Sequence, residues 1–109
     1  MLDDFETTQE LLTALRACLP FEVRLTPALL SHLRSRAESA TMAERQLVRE
    51  VSYLGDEGGI VCHLDGGGGR EVVIASLTHL QVPAAVPVAA AVARYQKHRI
   101  KRLRKLGRA

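Results

Sequence analysis

The stretch Ile60-Val61-Cys62-His63-Leu64, then Asp65-Gly66-Gly67-Gly68-Gly69-Arg70, then Glu71 to Val82, decides how this chain folds. Both arms are rich in valine and isoleucine and are bounded by turn residues, the pattern of two strands joined by a hairpin loop. If Asp65 pairs with Arg70, Cys62 faces Val73 and Ile60 faces Ala75. Alternation then places Ile60, Cys62, Leu64, Val73, Ala75 and Leu77 on one face, which reads as the core side. The other face carries Val61, His63, Val72, Ile74, Ser76 and Thr78 and is apolar for half its length. A sheet apolar on both sides needs cover on both, from helices or from a second copy of the chain. A homodimer is one expectation.

Working upstream, Asp56-Glu57-Gly58-Gly59 is a turn. Residues 45–54 are ambiguous. Leu47, Val51 and Leu54 fit a helix, and Thr41 with Glu44 forms a capping box in front of them. Leu47, Val51 and Tyr53 fit a strand instead, with a break near Arg49. Further upstream, Thr26-Pro27 opens a helix, because proline at the first helical position loses no hydrogen bond. Leu29, Leu30, Leu33, Ala37 and Ala40 form its inner face, with His32 and Arg36 turned to solvent. Phe21-Glu22-Val23-Arg24-Leu25 alternates as a short strand. Thr7 and Glu10 form a first capping box, and Leu11, Leu12, Leu15, Cys18 and Leu19 recur at helical spacing until Pro20.

Downstream, Pro83 and Pro87 end the sheet and open the last helix. At 100° per residue from Val88, Leu106, Val92, Leu103 and Tyr95 fall within about 60° of one direction, with Ile100 near 120°. Lys97, Lys101, Arg104 and Lys105 fall between about 160° and 260°, and Arg94 near 240°. Arg99, near 20°, and Arg102 are the two bases expected to intrude on the apolar edge. The fold class expected is α+β: two N-terminal amphipathic helices, a small antiparallel β-meander, and a C-terminal amphipathic basic helix. The 109 residues are expected to form one domain, with 83–109 as the basic helix packed on the sheet.

Composition narrows function more than it identifies it. Apolar residues make up 47% and charged residues 25%, which excludes extended disorder. The net charge of +3 hides a division. Residues 1–93 hold all 12 acids and seven of the 15 bases, a net −5; residues 94–109 hold the other eight bases and no acid, a net +8. Such asymmetry points to a polyanionic partner. Arg94, Lys97, Lys101, Arg104, Lys105 and Arg108 are the candidate nucleic-acid contacts. Tyr95 is the segment's one aromatic, and apart from Gln96 no amide is placed to read bases, so binding independent of sequence is expected.

A second cluster, Asp56, Glu57, Thr78 and His79, could hold a general acid or base, since the same register sets His79 opposite Asp56. No nucleophile lies beside it. Metal binding is not expected: Cys62 and His63 point to opposite faces of a strand, and Cys18 and His32 lack a spaced partner. Gly66 to Gly69 lacks the Lys-Ser/Thr of a phosphate loop. The run Ala84 to Ala93 reads as packing surface, so no cofactor is expected.

Two cysteines are too few for a disulfide framework, the acidic start is no secretory signal, and the apolar run Val82 to Ala93 is half a membrane span. A soluble, cytoplasmic protein with no membrane span is expected. The leading function is a non-catalytic module that associates with nucleic acid through the basic helix. A protein-interaction or assembly subunit with no nucleic-acid role is the alternative. A small hydrolase or nuclease using the Asp/Glu–His pair is the third.

Overall fold

The computed structural model describes residues 4–35, 42–55, 58–65 and 73–107. Its fold is α+β, with three helices and a five-stranded antiparallel sheet. In chain order these are α1 (Phe5–Cys18), β1 (Phe21–Leu25), α2 (Pro27–Arg34), β2 (Arg45–Tyr53), β3 (Ile60–Leu64), β4 (Val73–Ser76), β5 (Leu80–Gln81) and α3 (Ala89–Lys105). A 3-10 helix, Leu77–His79, links β4 to β5.

The strand order β4-β3-β2-β1-β5 puts β4 and β5 at opposite edges although only three residues separate them. Flat, five strands spaced about 4.8 Å apart would hold those edges about 19 Å apart. Three linking residues reach at most about 14 Å fully extended, and less as a 3-10 turn. The sheet therefore curls until its edges approach. Inside the curl lie Val23, Val48, Val51, Ile60, Cys62, Leu64 and Leu77, all essentially without solvent contact, and Leu12 and Leu15 of α1 join the same core.

The expected meander was too small. The strand Phe21–Leu25 is central, pairing with β2 on one side and β5 on the other. Residues 45–53 are strand throughout, and Arg49 is a bulge: Val48 pairs with Leu64 but Glu50 with His63, so Arg49 is the extra residue. Glu44 precedes this strand rather than capping a helix, and Thr41 lies outside the described residues, as do Ala37 and Ala40.

The β3–β4 register also differs from expectation. Cys62 pairs with Ala75 and Leu64 with Val73, two residues from the expected alignment. A slip of two keeps every side chain on its face, so the core face is unaltered. The long strand expected over Glu71 to Val82 stops at Ser76, whose hydroxyl accepts the Thr78 N–H and starts the 3-10 turn. On the outer face Ile74 is 56% exposed, whereas Val61 is buried. Helix α1 begins one turn earlier than expected: Asp4, not Thr7, is the N-cap, and its carboxylate accepts the Thr7 N–H at 2.9 Å. The Thr26-Pro27 start of α2 stands as read, with the Thr26 hydroxyl accepting the Leu29 N–H at 3.3 Å.

Candidate nucleic-acid interface

Helix α3 carries seven bases between Arg94 and Lys105. Three polar anchors and one apolar one fix how it is rotated. Val92 is fully buried. The Tyr95 hydroxyl accepts the N–H of Ile60, the first residue of β3, at 2.9 Å. The Gln96 amide donates both its protons, to the carbonyls of Leu77 and Leu80 at 2.7 and 2.5 Å. Leu77 opens the 3-10 turn and Leu80 follows it, so one side chain holds the helix to the chain reversal that closes the sheet. The fourth anchor is Arg99, only 3% exposed. Its guanidinium lies against Gly59, whose backbone φ of +65° suits glycine and whose missing side chain leaves room for Tyr95 and Arg99.

With those residues inward, Arg94, Lys97, Lys101, Arg104 and Lys105 are all exposed. Among the described residues none of these five has a carboxylate within ion-pair distance; the pairs that form, Arg45–Glu22 and Arg49–Asp65, belong to the sheet. Lys97, Lys101, Arg104 and Lys105 line a shallow groove whose apolar strip is Ala93 and Ile100. Arg108 lies outside the described residues.

Two expectations about this helix fail. Leu106 does not join the buried side: α3 ends at Lys105, Gly107 turns the chain away with φ +70°, and Leu106 is 59% exposed. Gln96, the one amide considered for base reading, has both protons committed inside. The burial of Arg99 had a sequence signal, its angle amid the apolar positions; Gln96 had none, because its acceptors lie in a turn no local pattern marks.

The second expected cluster is only partly placed. His79 is exposed and sits in the 3-10 turn, not on a strand. Asp56 and Glu57 lie outside the described residues, and so does their pairing with His79. A different pair, which the sequence reading missed, sits on the outer face: Ser52 Oγ and His63 Nε2 are 3.0 Å apart. The bulge at Arg49 sets that contact by shifting Ser52 one residue along β3.

Between α1 and α3 runs a cleft of about 440 Å³, floored by Leu11, Ala14, Ala91 and Tyr95 and rimmed by Asp4, Glu10, Arg94 and His98. Asp4 titrates below its ordinary value of 3.8, chiefly because Thr7 hydrogen-bonds its carboxylate, with a smaller contribution from nearby His98. Burial alone pushes the Cys62 thiol up to about 12. Among the described residues no group of three His, Cys, Asp or Glu side chains is placed to hold a metal ion, and no helix is long and apolar enough to cross a membrane.

Comparison of the chain with protein-family models, with curated proteins and with solved structures gives no match.

Proposed function

We propose that this protein is a non-catalytic module that associates with nucleic acid through the exposed basic side of α3. One observation carries the reading: Lys97, Lys101, Arg104 and Lys105 line one side of a helix whose other side is pinned to the body, Arg94 is exposed beside them at the rim of the α1 cleft, and none of the five has an acid paired to it among the described residues. A cation already neutralised by the protein would gain little from a phosphate. With no carboxylate paired to them among the described residues, these five can displace condensed counterions, which is what drives such binding. Two free cysteines accord with a reducing, cytoplasmic location.

Binding of a labelled oligonucleotide, followed by fluorescence anisotropy as salt is raised, tests the proposal. Five phosphate contacts give a slope of about −4.5 in log K against log salt on duplex DNA. The variant Lys97→Glu, Lys101→Glu, Arg104→Glu should lose binding while its circular dichroism stays that of the parent. Unchanged affinity in that variant overturns the reading.

The assembly reading is favoured by a separate observation, the exposed Ile74 and Leu54. A dimer through the outer sheet face would persist at high salt in sedimentation and dissociate on Ile74→Glu.

A further inference from the structure

We infer that the nucleic acid this helix takes is a duplex, gripped by its phosphates with little regard to base sequence; the inference rests on the nucleic-acid reading above. Single-strand binders combine a groove that tracks the backbone with aromatic rings on which bases stack. The chain has four Phe and Tyr residues, Phe5, Phe21, Tyr53 and Tyr95, and no Trp. Phe21 is buried in the sheet, and Tyr53 is half-buried at the end of β2. Tyr95, the only one of the four on the basic helix, is buried, with its hydroxyl bonded to Ile60. The imidazole of His98 belongs to the cleft toward α1, close to the Asp4 carboxylate. Phe5 is open, but it lies between Asp4 and Glu6, whose carboxylates repel a phosphate strand. Among the described residues no stacking platform accompanies the cations.

Adenine reading is restricted as well. An amide is the side chain suited to adenine, and both protons of Gln96 are held by Leu77 and Leu80. Arg99 is turned inward. What α3 presents is a set of cations along a shallow groove with no aromatic side chain in it. Lys97, Lys101 and Lys105 are four residues apart, so the helix sets their Cα atoms about 6 Å apart along its axis. A regular series of cations suits a dense, regular array of phosphates. A duplex supplies one charge per about 1.7 Å of its axis, whereas a single strand condenses fewer counterions.

The difference has a size. Five contacts give a salt slope of about −4.5 on a duplex and about −3.5 on a single strand. Extrapolated from a common 1 M intercept, the duplex is favoured by about tenfold at about 0.1 M salt.

The full chain, titrated against a DNA duplex of about 20 base pairs, an RNA duplex of equal length, and one DNA strand alone, tests this by anisotropy over a salt series. Either duplex bound about tenfold more tightly than the strand, with the steeper slope, supports the inference, and the two duplex arms say which polymer the helix takes. Scrambling the duplex sequence should change affinity by less than about threefold, because phosphate contacts are blind to sequence. A strand bound as tightly as the duplexes, or a larger sequence effect, overturns the inference while leaving the nucleic-acid reading intact. Failure of all three probes to bind overturns both.

Discussion

The Tyr95 hydroxyl accepts the backbone N–H of Ile60 at 2.9 Å, and this bond joins the middle of α3 to the first residue of β3. Ile60 is fully buried, so its N–H has no access to water in place of the phenol. Tyr95→Phe keeps the ring and deletes the acceptor. A buried donor left unsatisfied costs about 1–3 kcal/mol. Urea unfolding of Tyr95→Phe should show that loss with an unchanged m-value, while affinity for nucleic acid in the folded range stays as in the parent. A loss under about 0.5 kcal/mol would mean the bond contributes nothing net.

Two glycines with nearly equal backbone angles separate conformational cost from close packing. Gly55 has φ +69° with open space around the position of a Cβ, and Gly59 has φ +65° with Tyr95 and Arg99 against it. A Cβ at Gly59 would overlap the Tyr95 hydroxyl and come within 2.8 Å of Arg99 Nη1. Gly55→Ala should cost about 1 kcal/mol, the left-handed penalty alone. Gly59→Ala adds overpacking and should cost about 2–4 kcal/mol in the same denaturation assay. Equal losses at the two sites would remove the argument that Gly59 is small to admit the helix.

Much of this fold was legible because local patterns survive small errors. Alternation over Ile60–Leu64 and Val73–Ala75 identified the core face even though the register was two residues out, since a slip of two exchanges no faces. The change of phase at Arg49 was visible, but one extra residue in a strand looks in sequence like the end of an element. The 3-10 turn at Leu77-Thr78-His79 was not legible. It has no glycine or proline, and it exists because the chain must cross from one sheet edge to the other. Helical periodicity set Lys97, Lys101, Arg104 and Lys105 apart from Val92 and Tyr95 but also put Leu106 inside, where it is 59% exposed, and the commitment of Gln96 depended on which turn the helix lies against.

Cys62 and Cys18 should differ in reactivity. Cys62 points into the curl of the sheet, and burial pushes its thiol from 9.0 up to about 12; Cys18 is half-buried at the last residue of α1. Because the thiolate is the reactive form, a disulfide reagent at about pH 8 should modify one thiol quickly in the native protein and the second only on unfolding. The same shift makes stability depend on pH. The unfolded chain releases the Cys62 proton near 9 and the folded chain near 12, so the folded state binds more protons across that interval and loses stability as pH rises through it. Cys62→Ala should flatten that alkaline decline in a series of thermal melts. A decline of unchanged steepness would show that other groups cause it.

The inward and outward cations of α3 should behave oppositely under neutralisation. Lys97 and Lys101 are exposed and four residues apart, a like-charge spacing that costs a helix a few tenths of a kcal/mol, about 0.2–0.5. Lys97→Gln or Lys101→Gln should therefore leave stability within about 0.5 kcal/mol of the parent. Each should lower the salt slope for duplex binding by about 0.9, the signature of one lost phosphate contact. Arg99→Gln removes a guanidinium that fills space against Gly59 and should destabilise the fold by about 1–3 kcal/mol. Its slope should equal the parent's below the melting temperature, because Arg99 faces the body and touches no phosphate. A reduced slope in Arg99→Gln, or an unaltered one in both lysine variants, would place the binding surface on another side of the helix.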